Sequence, residues 1–204
     1  MGVKGLLGRL KPVASDRVDL NEDVGTIIFD GHYCMHRSAA KGSIALEFAL
    51  EDNLRPLVID MLVEMRHFEQ AGWFVVVVFD GATPPSKTHT SDTRSGDRAT
   101  ALAACRVLKE LPRPVDDVAQ RLAIQELERR AKGAVAFTPV IVAKVSKMLQ
   151  HSLQRAACVT APFEADPQLK VMEELYSRGG KRCFVRANDS DLVVLGVRSL
   201  LWEV

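Results

Sequence analysis

Four stretches of the chain share one pattern, a run of β-branched and aromatic residues that stops abruptly at a small or acidic one. They are Gly25-Thr-Ile-Ile-Phe-Asp30-Gly31, Trp73-Phe-Val-Val-Val-Val-Phe-Asp80-Gly81, Ala157-Cys-Val-Thr-Ala-Pro162 and Arg182-Cys-Phe-Val-Arg-Ala187. Continuous apolar runs of this length predict strands buried on both faces. Between the first two, Leu57, Val58, Met61, Leu62, Met65 and Phe68 recur at helical spacing and stop at Gly72, a C-terminal signal. Strand, helix, strand predicts a parallel sheet. Later, Thr138-Pro139 supplies an N-cap and an N1 proline to a helical face of Ile141, Val142, Val145, Met148, Leu149 and Leu153. After the Cys158 strand, Glu164 to Arg178 reads as a helix closed by Gly179-Gly180, before the Cys183 strand. The fold class predicted is α/β, doubly wound, a mostly parallel sheet flanked by helices.

Residues 84–132 break this rhythm. They open with Pro84-Pro85, pass through the polar run Thr88 to Thr93 and hold two helical patterns separated by Pro112 and Pro114, which reads as a helical insertion after a strand. The insertion carries ten basic against seven acidic side chains, a net of +3 in a chain whose formal charge is +1, leaving about −2 for the rest. Any nucleic-acid footprint must therefore be local rather than polybasic. With 47% apolar residues in 204, the chain fills a core, which excludes intrinsic disorder. The longest strongly apolar run, Trp73 to Phe79, is seven residues, far below the ~20 of a spanning helix, so no membrane partner is expected. No secretory signal is read at the start. Cysteines 34, 105, 158 and 183 form no Cys-x-x-Cys motif, so reduced, packed thiols in an intracellular protein are expected and zinc is not.

In a parallel sheet, ligands collect beyond the carboxyl ends of the strands. Asp30, Asp80, Asp189 and Asp191 fall at such ends, and Glu164 with Asp166 opens the helix after the third strand. Taken singly, an Asp after a strand is more often a helix cap or loop residue. Taken together, six carboxylates at one edge repel one another unless a cation neutralises them, and all-oxygen ligands favour Mg²⁺ or Mn²⁺ over zinc. So acidic a site suits two-metal phosphoryl chemistry. Lys87 and Arg94 follow Asp80 by seven and fourteen residues, so on a helix they share one face and supply positive charge for a phosphate; alone they would read as solvated surface bases.

The residues now match a known family. Met1-Gly-Val-Lys-Gly-Leu-Leu, Ile28-Phe-Asp30, Val78-Phe-Asp80-Gly81 with Pro85-Ser-Lys87, Ala161-Pro-Phe-Glu164-Ala-Asp166-Pro-Gln-Leu and Asn188-Asp189-Ser-Asp191-Leu stand in order along nearly the whole chain. The sequence resembles the structure-specific 5′ nucleases, the group of flap endonuclease, the excision-repair endonuclease and exonuclease one. It looks most like the exonuclease-one branch, through Tyr33-Cys34-Met35-His36, Glu164-Ala-Asp166 and Pro85-Ser-Lys87. The resemblance implies a single PIN-like catalytic domain over 1–204, with an N region of about 1–100, an I region of about 138–204 and a helical arch over about 84–132.

It further implies that Asp30, Asp80, Glu164, Asp166, Asp189 and Asp191 bind two Mg²⁺ ions, replaceable by Mn²⁺, and that Lys87 and Arg94 contact the scissile phosphate. Gly2, Tyr33 and His36 would meet DNA carrying a 5′ flap, nick or recessed end, with buried aromatic packing as the alternative for His36 and Tyr33. The function implied is hydrolysis of DNA phosphodiesters in repair or replication, in the nucleus. Two departures stand out. Asp92, Asp97, Asp116 and Asp117 dilute the arch. A further Asp and the helix-two-turn-helix element, a route to repair or replication factors, would lie beyond Val204. The weak helix formers of Thr88–Thr93 predict a segment ordered only by phosphates. Two other readings are open: a truncated or catalytically reduced binding or scaffold protein, and an aspartyl-nucleophile phosphatase, which wants an acid where this chain has His32.

Overall fold

A computed structural model describes residues 24–85, 88–112 and 116–201. In chain order the elements are β1 (Thr26–Asp30), α1 (Gly31–Ala39), α2 (Gly42–Glu51), α3 (Arg55–Gln70), β2 (Phe74–Phe79), α4 (Thr88–Glu110), α5 (Asp117–Ala134), α6 (Pro139–Ser152), β3 (Ala156–Thr160), α7 (Ala165–Tyr176), β4 (Cys183–Arg186), α8 (Asp191–Val194) and β5 (Leu200–Leu201). The described residues fall into two compact units: those up to Cys34, in Val63–Ala82 and from Leu149 onward form the first, and those in Met35–Leu62 and between Thr83 and Met148 the second.

The first unit contains the sheet. Among the described residues five strands lie in the order β3-β2-β1-β4-β5, each neighbouring pair parallel. This is the α/β architecture the apolar runs imply. Val75 and Val77 point to one face of β2 and Val76 and Val78 to the other, yet all four are fully buried, which is why the run shows no polar alternation. On one face Ile28, Val76 and Val78 pack with Ala165 and Leu169 of α7 and with Leu192. On the other, the ring of Phe29 meets Phe68 edge-on at 5.7 Å. Chain order reverses between β1 and β4, so the switch point of the sheet lies at the carboxyl end of β1, where ligands gather in such folds.

Gly72 ends α3 as its position predicts. It adopts φ +94°, its N–H bonds the carbonyl of Glu69 at 2.9 Å, and that of Trp73 bonds the carbonyl of Phe68 at 3.0 Å. This double bond is the Schellman arrangement, and the accompanying apolar contact is present as Phe68 against Trp73, ring centroids 6.5 Å apart. An ion pair between buried Arg186 and half-buried Glu64, Nε to Oε1 at 2.7 Å, ties β4 to α3 within the same unit.

In the second unit α5 packs against both α2 and α4. Gly42 opens α2 so close to α5 that a Cβ there would lie 2.3 Å from a Glu128 carboxylate oxygen. Asp116 caps α5 by accepting the Ala119 N–H at 2.8 Å. The insertion is therefore helical, with α4 and α5 separated around Pro112, as read. Thr88–Thr93 are helical, the first turns of the 23-residue α4. Among the described residues no helix is long and apolar enough to cross a membrane, and all four cysteines are free thiols.

Candidate metal centre

The parallel order brings the carboxyl ends of β1, β2, β3 and β4 to one edge of the first unit. Asp30 ends β1, Asp80 follows β2, Glu164 and Asp166 stand where α7 begins after β3, and Asp189 and Asp191 follow β4. All six are partly buried.

Glycine is what lets these ends approach. At Gly31 a Cβ would lie 2.4 Å from the Phe79 ring, so the start of α1 seats directly on the end of β2. At Gly81 a Cβ would lie 1.9 Å from the Ala161 carbonyl oxygen. There the two loops are joined main chain to main chain: Gly81 N–H to the Phe163 carbonyl at 2.5 Å and Ala82 N–H to that of Pro162 at 3.1 Å. The loop bearing Asp80 is thus fixed to the loop bearing Glu164 and Asp166.

Three of the acids commit one oxygen to a helix start. Asp30 Oδ1 accepts the Tyr33 N–H of α1 at 2.9 Å, Asp80 Oδ1 accepts the Ala165 N–H of α7 at 2.7 Å, and Asp189 Oδ1 accepts the Asp191 N–H of α8 at 2.9 Å. Capping, the bland role for an Asp after a strand, is therefore real at these positions. Glu164 occupies the N-cap position of α7 and makes no side-chain cap bond; Asp80 reaches across from β2 to serve that helix end instead.

The acids act on one another. Burial pushes the Asp30 carboxyl up to about 7, against the Tyr33 N–H, which lowers it, and the charges of Asp80 and Asp166 raise it further. Asp166 is pushed up to about 6, first by burial and then by Asp189, Asp80 and Glu164. Five carboxylates from four strand ends thus share one field, with Asp191 joined through its hydrogen bond to Asp189. Such a donor set, all oxygen and short of positive charge, matches what Mg²⁺ or Mn²⁺ prefers. Even so, among the described residues no group of three or more His, Cys, Asp or Glu side chains is arranged to hold a metal ion. A cation would have to draw these oxygens inward.

His32 is a neighbour that the strand-end pattern does not reveal. Its Nδ1 accepts the Asp80 N–H at 3.1 Å, and its ring meets Phe79 edge-on at 6.2 Å. Nδ1 also lies 3.5 Å from Asp80 Oδ2, a distance that would suit an ion pair. An accepting Nδ1 carries no proton, however, and burial holds the imidazole below its ordinary range despite the Asp80 charge. The ring is neutral and the contact is not ionic.

The remaining candidates fall elsewhere. Gly2 and Lys87 lie outside the described residues. Arg94 is exposed on α4, in the second unit. Tyr33 is half-buried on α1, and His36 is exposed with its ring edge-on to Phe137 at 4.9 Å, so full burial does not describe His36. Phe137 in turn stacks on Phe48 at 5.6 Å.

No family model matches the chain. It is 27% identical over 206 residues to Exodeoxyribonuclease 1 of Schizosaccharomyces pombe and 28% identical over 210 residues to Exodeoxyribonuclease 1 of Saccharomyces cerevisiae. It is 25% identical over 206 residues to the DNA damage-inducible protein DIN7 of Saccharomyces cerevisiae. Each comparison covers all of this chain but only 33%, 26% and 43% of the respective relative, so the chain spans less than half the length of these proteins. The acids at four strand ends and these similarities agree: along its whole length the chain resembles the exonuclease-one branch of the structure-specific 5′ nucleases.

Proposed function

We propose that this chain is the catalytic part of a Mg²⁺-dependent 5′ nuclease that hydrolyses DNA phosphodiesters at a 5′ flap, nick or recessed end. The observation that supports it most is the convergence of mutually repelling carboxylates from the ends of β1, β2, β3 and β4. Asp30, Asp80, Glu164, Asp166, Asp189 and Asp191 would hold two Mg²⁺ ions, with Mn²⁺ able to substitute. Bound there, the ions would activate a water and stabilise charge on the phosphate and leaving oxygen.

The chain's own residues do the rest. The Asp80–Ala165 and Asp30–Tyr33 bonds each fix one carboxylate oxygen on the edge and leave the other oxygen to turn toward a cation. Lys87 and Arg94 would neutralise the phosphate, and Gly2, Tyr33 and His36 would contact the DNA end. The similarity to exodeoxyribonucleases supports a DNA substrate, and with it goes a proposed nuclear site of action in repair or replication.

A second reading, a non-catalytic nucleic-acid-binding or scaffold protein, is favoured by the absence, among the described residues, of three acids arranged for one ion. Cleavage of a labelled 5′-flap DNA separates the two. Turnover with Mg²⁺ and none with chelator is expected for the nuclease. Asp80→Asn keeps an acceptor for the Ala165 N–H and removes one charge, so it should leave the fold intact and lower cleavage more than about 100-fold, exceeding typical losses for residues beyond the ligands. Undiminished cleavage by Asp80→Asn would defeat the assignment; binding without turnover in the parent protein would select the scaffold.

A further inference from the structure

We infer that His32 is a positioning residue for Asp80, holding the end of β2 in place for metal through its Nδ1 lone pair; this rests on the metal reading above. The need arises from register. Asp30, the last residue of β1, pairs with Val78, so β2 runs past its neighbour while the β1 chain turns into α1 at Gly31. On the other side of β2 the ladder continues, with Phe79 opposite Thr160 and the Ala161 N–H bonding the Phe79 carbonyl at 2.8 Å. The Asp80 N–H has therefore outrun the carbonyls of β1. An imidazole two residues beyond Asp30 reaches back and accepts it at 3.1 Å.

Asp80 is thereby held at two points, its main chain by His32 and its Oδ1 by the Ala165 N–H. The ring is itself placed by its edge contact with Phe79, a fully buried ring on which Gly31 also packs closely. Loss of the Nδ1 acceptor leaves a half-buried N–H without this partner and lets the turn at residue 80 rotate, carrying the carboxylate with it. His32 touches neither metal nor phosphate in this role. Its effect passes through Asp80.

The amide analogues discriminate this role from simple packing. In His32→Asn the amide oxygen stands near the place of Nδ1, in His32→Gln near that of Nε2, and His32→Phe keeps a ring without an acceptor. Binding of Mn²⁺ alone would be measured by calorimetry or by the signal of free Mn²⁺ on folded, DNA-free protein, with circular dichroism to verify the fold. Affinity should fall about 10–100-fold in His32→Phe and His32→Gln and stay within a few-fold of the parent in His32→Asn. On flap DNA, kcat should follow the same ranking while KM changes little. Parent-like Mn²⁺ affinity in both His32→Phe and His32→Gln would overturn the role while leaving the metal reading intact. If His32→Phe fails to fold, the Asn and Gln proteins decide, and equal affinities in those two overturn it. Absence of Mn²⁺ binding by the parent protein overturns the metal reading and this role with it.

Discussion

Asp30 and Asp166 illustrate how one residue can be unfavourable for the fold and still be retained by a site. Each carboxyl prefers its proton when folded, to about 7 and about 6 respectively, whereas an unfolded Asp releases it near 3.8. Between these values the folded state binds more protons than the unfolded state, so stability falls as pH rises from about 4 to about 7 and is flat above. The rise at Asp30 alone corresponds to a loss of about 4 kcal/mol, to which the more solvent-exposed Asp166 adds a smaller part. Chelator-treated protein should show a higher urea midpoint at pH 5 than at pH 8, and millimolar Mg²⁺ should raise the midpoint at pH 8 more than at pH 5, because the cation favours the ionised form. A midpoint that rises with pH in chelator would contradict the shared field of the acids. The acids themselves were legible in the sequence because Asp30 and Asp80 end apolar runs and the other four follow the next two strands within a few residues. His32 was not: a histidine at the second position of a helix carries no spacing signal, and only the unequal lengths of β1 and β2 give it work.

At the level of elements, the long pieces announce themselves and the short ones do not. β1 to β4, α3, α6 and α7 follow from apolar runs or helical stripes bounded by Gly or Pro, and the Schellman bonds at Gly72 and Trp73 show the physical basis of that boundary. β5 is two residues and α8 four, too short for any period to register, so β5 depends on pairing with β4 and α8 on packing against α7. α7 also stops at Tyr176, two residues short of the expected Arg178, where a 3-10 turn through Gly179 takes over. Gly81 offers a direct test of how the loops place the acids. Gly81→Ala puts a methyl group 1.9 Å from the Ala161 carbonyl oxygen, and backbone cannot yield as a side chain would. Destabilisation of about 1–3 kcal/mol is expected by denaturant titration, with weaker Mn²⁺ binding in the folded fraction. Gly96→Ala, where nothing lies within 4 Å, is the matched control and should be neutral or slightly stabilising.

Over the whole molecule, charge balance bears on how the protein would grip DNA. The insertion at 84–132 has a net charge of only +3, and several of its bases are already engaged. Arg129 forms two hydrogen bonds with Glu126, at 2.7 and 2.6 Å, and Arg130 a third at 2.8 Å, which together hold the Glu126 carboxyl down to about 2. Lys109 pairs with Glu51 at 3.4 Å. A shallow salt dependence of DNA affinity follows, with log K falling by roughly 3 or fewer per decade of salt. Glu126→Gln releases two arginines, so tighter binding at low salt and a slope steeper by about 1 are expected in fluorescence anisotropy. An unchanged slope would mean that α5 does not meet phosphate. The Lys109–Glu51 pair, 58 residues apart, was not readable from the sequence, whereas the Glu126 pairs stand at helical i,i+3 and i,i+4 spacing and a plain charge count overlooks them.

The main-chain bonds from Gly81 and Ala82 to Phe163 and Pro162 also dictate where the polypeptide tolerates editing. An inserted or deleted residue on either side would put donors and acceptors out of step, so neither loop can change length alone. The exposed Gly179–Gly180 turn imposes no such rule, since the surroundings of both glycines are open within 4 Å and the turn leads into the opposite end of β4. A fluorescent label or affinity tag grafted there would report on the protein while leaving its acidic edge untouched.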